Sequence, residues 1–266
     1  MDKSLVAEYS RTLSVPIYDV GAEGTLKIGS VLRLVQETSE QHLGLLRIGY
    51  ERLKEDGLVF FIISSFLNII RLPEHGEKIT IRTHPVGRGG AQIYRDFLFY
   101  SGEEQIISVM QTTVMADAET HKVRKPQDLM RYGVFSDNPV PPEERIERCA
   151  VPKDLSYAGQ RRVRHSDLDS NGHMNNTVYG DIISDFLPSG VLEKGLKELL
   201  ITYYKECREG DVLEIREKET DKGVLLRGSC GEACSFTARA VFKETTNQEK
   251  IGRGLAMARP KCYNQF

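Results

Sequence analysis

Asp167-Leu-Asp-Ser-Asn-Gly172-His173-Met174 repeats the layout of Asp19-Val-Gly-Ala-Glu-Gly24-Thr25-Leu26, displaced by 148 positions, with Asp, an aliphatic residue and Gly recurring in register. A second correspondence sets Arg71-Leu72-Pro73-Glu-His-Gly76-Glu77 under Lys205-Glu206-Cys207-Arg-Glu-Gly210-Asp211, displaced by 134. Gly and Asp mark turns everywhere, so either match alone is within reach of chance, but both fall at the same place in the order of elements.

That order is read outward from the two turns. Residues 8–20 alternate as a strand does, and Thr25 opens a long buried helix with Val31, Leu34, Val35, Thr38, His42 and Leu45 at helical spacing. Four runs of strand composition follow, around 58–71, 78–85, 92–100 and 105–116. Between Asp117 and Pro152, five prolines and the charged run Glu143 to Arg148 argue against regular ladders. The first pattern then returns: a strand near 157–165, a helix from Met174 to Phe186, and strands near 197–207, 211–219, 223–230 and 233–243. The chain reads as a duplication, with halves at 1–124 and 156–266 and a linker at 125–155.

Composition narrows the function classes. Lys and Arg number 36 against 38 Asp and Glu, and a formal net charge of -2 gives no bulk attraction to nucleic acid or anionic lipid. Any anionic partner must meet a local basic patch, and no nucleic-acid partner is expected. The longest purely apolar stretch, Leu58 to Ile63, falls far short of the roughly 20 residues of a membrane-spanning helix. Met1-Asp2-Lys3-Ser4 runs straight into mixed polar sequence without the apolar core of a signal peptide, so a cytoplasmic address is the expectation. Five scattered cysteines at 149, 207, 230, 234 and 262, without C-x-x-C spacing, indicate free thiols and no zinc site or disulfide framework.

The differences between the repeats point to chemistry. Where the second half carries Asp169, Asn171, His173, Glu206 and Cys207, the first carries Gly21, Glu23, Thr25, Leu72 and Pro73. From Asp167 the pattern D-x-D-x-N-G opens like an EF-hand loop, but the twelfth position is Val178 instead of a bidentate Glu, and a strand stands where a helix should precede. Turn formation and helix capping account for two or three of these residues but not for a His beside Asn175-Asn176 at a helix mouth. Helix N-terminal N–H groups there would suit a carbonyl oxygen becoming an oxyanion, which favours acyl transfer. Spacing alone leaves Glu206 and Cys207 as a solvated turn Glu and a buried thiol. Neither G-x-S-x-G nor a Walker loop occurs, and Gly87-Arg-Gly89-Gly90 and Gly252-Arg-Gly254 read as turns. In Arg161-Arg162-Val163-Arg164, strand alternation would put Arg162 and Arg164 on one face.

Asp169-x-Asn171-x-His173-x-Asn175-Asn176-x-x-Tyr179, followed by Tyr203-Tyr-Lys-Glu206-Cys207, resembles the signature of acyl-acyl carrier protein thioesterases of bacteria and plant plastids. Leu34-Val-Gln36-Glu37-Thr38, Ile69-Ile-Arg71-Leu-Pro73 and Glu119-Thr-His-Lys-Val-Arg-Lys-Pro126 look like that family's other landmarks, so the resemblance covers most of the chain. It implies an α+β tandem hotdog, two antiparallel sheets each wrapping a long helix and joined into one. It implies hydrolysis of a fatty acyl thioester of acyl carrier protein without a cofactor or metal, the acyl chain entering the first half. Asp169, Asn171, His173 and Glu206 would then perform hydrolysis, with Cys207 a candidate nucleophile. The family usually has a Trp on the strand after the first helix and another near Thr113; this chain has no Trp and carries Phe60 at the first place.

Several further expectations follow. Phe60 or Phe61 should limit the depth of the acyl channel, Arg162 and Arg164 should receive the acidic carrier, and a homodimer stays open. Two rivals share the chemistry of a His with a carboxylate or the fold: a hotdog dehydratase of 3-hydroxyacyl thioesters, and a non-enzymatic acyl-thioester-sensing regulator. The regulator needs a DNA-reading segment, and no basic helix-turn-helix pattern precedes residue 20.

Overall fold

The computed structural model describes residues 8–125, 128, 132, 138–188, 191 and 195–244. Gly252-Arg-Gly254, Cys262 and the end of the second half as read from sequence lie outside them. Strands β1 (Tyr9–Ser14), β2 (Leu58–Ile69), β3 (Lys78–Gly89), β4 (Gln92–Ser101) and β5 (Glu104–Asp117) belong to the first half. Strands β6 (Ser156–Arg162), β7 (Leu196–Tyr203), β8 (Val212–Thr220), β9 (Gly223–Cys230) and β10 (Ala233–Phe242) belong to the second. Helix α1 (Ile28–Leu45) and the short α2 (Tyr50–Glu55) follow β1, and α3 (Val178–Asp185) follows β6.

All ten strands form one antiparallel sheet in the order β1-β3-β4-β5-β2-β7-β10-β9-β8-β6, so one half's order is the other's reversed. The seam is β2 against β7. There Phe66 faces Leu200, with Ser65 opposite Ile201 and Leu67 opposite Leu199. Phe66 and Leu200 are equivalent in the 134-residue repeat, so the halves meet about an approximate twofold axis through that pair.

The duplicated turns keep the same backbone bonds. Gly21 N donates to Thr25 O and Asp169 N to His173 O, each at 2.8 Å; Leu26 N donates to Pro73 O and Met174 N to Cys207 O, also at 2.8 Å; Lys27 N to Asp19 O and Asn175 N to Asp167 O both measure 2.9 Å. Gly24 and Gly172 have φ of 77° and 75°, a left-handed conformation in which a side chain is strained. These bonds correct both expected helix starts. Thr25-Leu26 and His173-Met174 are held extended, bridged to Glu74 and Arg208, so α1 begins at Ile28 instead of Thr25 and α3 at Val178 instead of Met174.

Other boundaries move for equally local reasons. The first strand stops at Ser14 because Pro16, which has no N–H to donate, leads into a 3-10 turn at Ile17–Asp19. Gly87 and Gly89, read as turn residues, lie within β3, and the hairpin turns at Gly90. Described residues of the linker pack against the sheet. Arg88 exchanges backbone bonds with Asn138 and Val140, and Cys149 is pinned between the hydroxyls of Thr202 and Thr237.

The core lies between the sheet and the helices, where Val31 and Val35 of α1 and Ile182 of α3 pack over Ile79, Phe97 and Phe236. The helices touch closely. A Cβ on Gly180 would lie 2.9 Å from the Gly29 backbone, and Arg33 forms an ion pair with Asp181, its equivalent in the 148-residue repeat.

Candidate active site

The second-half turn gathers the sequence candidates. Asp169 Oδ1 accepts the N–H groups of Asn171 and His173 at 2.8 and 3.3 Å, an Asx turn that holds His173 in place. His173 Nδ1 stands 3.4 Å from Glu206 Oε2, the imidazole largely covered at 17% exposed and the carboxylate more open at 42%. Asn171, exposed, accepts through Oδ1 the hydroxyl of Tyr50 at the start of α2, so the first half reaches across to the turn.

Glu206 and Cys207 lie in the bend after β7, which ends at Tyr203 and not at residue 207. Cys207 is fully buried in the core, its Sγ 3.3 Å from Ser235 Oγ, 3.6 Å from Tyr179 Oη and 3.8 Å from Cys230 Sγ. Burial pushes the Cys230 thiol up to about 11 and raises the Tyr179 phenol. The candidate nucleophile thus sits among core side chains, and among the described residues its thiol makes no hydrogen bond to His173.

The helix mouth lies farther along than expected. With α3 starting at Val178, His173 precedes the helix by more than a turn. Asn175 Oδ1 takes the N–H of Thr177, and from Asn171 to Val178 only Asn176 has a backbone N–H without an acceptor among the described residues. That N–H is the donor available to an oxyanion. The calcium-loop reading also fails in space: Asp167 forms a two-pronged pair with Arg161 at 2.7 and 3.0 Å, and Asp169 serves backbone N–H groups.

A cavity of about 200 Å3 joins this turn to the interior of the first half. Its walls include Leu43 of α1, Leu53 of α2, Leu58, Phe60 and Ile62 of β2 and Ile93 of β4, and its mouth is edged by Asp169, Asn171, Asn175 and Asn176. Phe61 points to the other face of β2, edge-on to His121 with ring centroids 5.2 Å apart, and does not line the cavity. Arg162 and Arg164 are both exposed, but β6 ends at Arg162, so strand alternation does not set Arg164 beside it. Arg162 instead reaches towards Gly210, in the loop that follows Glu206.

Sequence reasoning missed the polar part of the cavity. Glu40, Tyr50, Arg95 and Gln111 also line it. Arg95 is half-buried, desolvation driving its guanidinium down to about 10, with Nη1 2.9 Å from His42 Nδ1 and 3.3 Å from Thr83 Oγ1. Burial likewise raises the Glu40 carboxyl. One signal was present: Gln36, Glu40 and Leu43 share a helical face at i, i+4, i+7, which places a carboxylate on the same side as core Leu.

Two family models match the chain, the acyl-ACP thioesterase N-terminal domain over residues 7–131 and the acyl-ACP thioesterase C-terminal domain over 152–250. The chain belongs to the acyl-ACP thioesterase family. It is 28% identical over 222 residues to a chloroplastic palmitoyl-acyl carrier protein thioesterase of Cuphea hookeriana, covering 77% of this chain and 53% of that protein. It is 24% identical over 284 residues to the chloroplastic oleoyl-acyl carrier protein thioesterase 2 of Arabidopsis thaliana, covering 95% and 77%. The chain thus spans about half the length of some curated relatives it matches.

Among solved structures, an acyl-ACP thioesterase from Bacteroides thetaiotaomicron superposes with a TM-score of 0.80 at 18% identity, over 91% of this chain and 100% of that one. A 12:0-ACP thioesterase from Umbellularia californica superposes at 0.79 with 20% identity, over 90% and 98%. Likeness at this identity concerns the fold, which is the tandem hotdog. Within this acyl-ACP thioesterase chain, the two positions where the family resemblance leads one to expect Trp, Phe60 and the vicinity of Thr113, both fall on the cavity wall.

Phe60→Ala is therefore expected to shift the preferred acyl length upward, whereas Phe61→Ala leaves it unchanged. Each added buried methylene is worth about 0.8 kcal/mol, roughly fourfold in affinity, until the channel ends. Hydrolysis rates over a series of chain lengths check this, and an unchanged profile in Phe60→Ala would place the limit elsewhere.

Proposed function

We propose that this protein hydrolyses fatty acyl thioesters of acyl carrier protein, releasing the free fatty acid and the carrier thiol. The observation that carries the reading is the junction of the first-half cavity, one wall of which is apolar, with the second-half turn, whose Asp169 and Asn171 edge the cavity and whose His173 stands behind them beside Glu206. An acyl chain in the cavity would leave its thioester at the turn, where the Asn176 N–H can meet the carbonyl oxygen. Glu206, open to solvent, removes a proton from water as the water oxygen bonds to the carbonyl carbon. His173, held by Glu206, supplies a proton as the carbon–sulfur bond breaks and the thiol leaves. Asp169 is the weaker candidate for base because one of its oxygens already serves two backbone N–H groups.

Thiol release measured with carrier-protein and coenzyme A thioesters of graded length tests this directly. Saturable hydrolysis of the carrier thioesters supports it; absence of hydrolysis with every length, or release of an enoyl product from 3-hydroxyacyl thioesters, overturns it.

The carrier is acidic, and Lys205 and Arg208, which flank Glu206 and Cys207, lie with Arg162 around the Gly210 loop next to His173. Charge reversal at Arg162 and Arg208 is expected to raise KM for the carrier thioester about tenfold at low salt, and much less for the coenzyme A thioester. Equal effects on both substrates would remove this surface as the docking site. Arg164 belongs to the same proposal as a more distant contributor. A cytoplasmic place of action and self-association into a homodimer complete the reading, for cell fractionation and sedimentation to test.

A further inference from the structure

The turn ending at Asp211 copies the turn ending at Glu77, but its carboxylate is answered differently. In the first half Glu77 caps the N–H of Glu74 at 2.9 Å and takes the Arg71 guanidinium through two hydrogen bonds of 2.8 and 3.1 Å, with Ser101 as a further donor. The Arg71 bonds pull its carboxyl down to about 2. In the second half Asp211 caps the N–H of Arg208 at 2.8 Å, the same bond at the equivalent residues. There the likeness ends. Lys205 stands in the place of Arg71, and among the described residues neither it nor Asp211 takes part in an ion pair.

Two sulfurs occupy the remaining places. Ile79 pairs with Ser101 across β3 and β4, and continuing the Glu214–Ser229 register of β8 and β9 by one residue sets Leu213 opposite Cys230, so Cys230 is the counterpart of Ser101. Cys207 is the counterpart of Pro73. The sulfurs lie 3.8 Å apart, and both lie within 4.8 Å of an Asp211 carboxylate oxygen. The second half thus holds a carboxylate and two thiols around a point where the first half places a cation.

We propose that Cys207, Cys230 and Asp211 form a binding site for a thiophilic divalent cation of the zinc class, standing in for the missing guanidinium. With zinc–sulfur bonds of about 2.3 Å at a tetrahedral angle, two thiolate ligands sit about 3.8 Å apart, the separation these sulfurs have without moving. Two thiolates and a carboxylate suit zinc better than magnesium or calcium, which prefer all-oxygen shells. A water would complete the tetrahedral shell as the fourth ligand. On binding, the two thiols release their protons to solvent and the metal takes both sulfur lone pairs. The Cys207 carbonyl holds the N–H of Met174 at 2.8 Å and Glu206 precedes Cys207, so the metal would sit behind the bend after β7, on the side away from Glu206. Sequence spacing does not reveal the site, because its ligands come from three separate segments.

Titration of the full, reduced chain with Zn2+ against a chromophoric chelator, and with Co2+ followed by its thiolate charge-transfer absorption, tests the site without reference to catalysis. One equivalent bound with a two-thiolate Co2+ spectrum is the expected result. Cys230→Ser should weaken binding more than about 100-fold and remove much of the absorption, beyond the 10–100-fold scale of outer-shell losses. Asp211→Asn should weaken binding while keeping the thiolate signal, and it guards against misfolding of the cysteine variant. Absence of a thiolate signal, equal affinity in wild type and Cys230→Ser, or a Cys207–Cys230 disulfide in protein purified with blocked thiols would each overturn the proposal.

Discussion

Glu206→Gln and His173→Ala are each expected to lower kcat by about 100-fold or more, while Cys207→Ser keeps most of its turnover. Losing a positioned acid or base costs on the order of 10²–10⁴ in rate. Glu206 has the geometry for that role, 3.4 Å from the His173 imidazole and open to the water it must activate. Cys207 faces the opposite way, fully buried against Tyr179, Cys230 and Ser235. Attack by a cysteine would also only exchange one thioester for another before water is needed. Thr25→Ala, at the equivalent place in the first half, is the control and should leave turnover unchanged. Rapid quench with mass spectrometry reads the same question independently: an acyl group trapped on Cys207, or a dead Cys207→Ser beside an active Glu206→Gln, would reverse the assignment.

Gly180→Val is expected to destabilise the fold by about 3 kcal/mol or more, the upper range for overpacking a core. The two nearest neighbours are backbone atoms, which cannot rotate away as the third, Leu32 Cδ1, can. A Cβ there meets Gly29 N and Cα, both at 2.9 Å, where α3 crosses α1 backbone to backbone. For a chain of this size the loss lowers the melting temperature by roughly 6–12 °C. Gly44→Ala, where an added Cβ meets nothing within 4 Å, should instead be neutral or stabilising, since Ala is favoured over Gly in a helix by about 1 kcal/mol. Thermal melts of the two variants check both; equal melting temperatures would mean that the helices move apart at little cost.

The duplicated order of elements was legible because each half repeats a period-2 pattern and a Gly-bearing turn, signals carried by local residues. Element limits were less so. Met174 and Leu26 look helical by composition, yet their N–H groups donate to Cys207 and Pro73, more than 30 residues away, and such tertiary bonds leave no periodic trace. The same holds for the linker, whose prolines hide the pairing of Asn138 and Val140 with Arg88. Asp169, Asn171 and His173 stood out as candidates because the first half lacks them at matching places, whereas Glu206 read as a solvated turn residue and entered only through the family resemblance. Arg95 and Tyr50 did not stand out. A charge on an amphipathic strand reads as solvated, and only the covering α1 and α2 turn Arg95 inward to the cavity and bring Tyr50 to Asn171.

The near-identical backbone of the two turns has an evolutionary meaning. If two identical halves assembled as separate chains, every substitution would appear twice, and a residue suiting the hydrolytic turn would be imposed on its twin. Joined in one polypeptide, the copies mutate independently. The first turn carries Gly21, Glu23 and Thr25 where the second has Asp169, Asn171 and His173, with the same backbone bonds shaping the sheet end. Meanwhile Phe60, Leu53 and Ile93 line the cavity within the first half, apart from the turn that bears His173. Changes of substrate preference are thereby insulated from the reaction itself, so this architecture can explore new acyl lengths by single substitutions without passing through inactive ancestors.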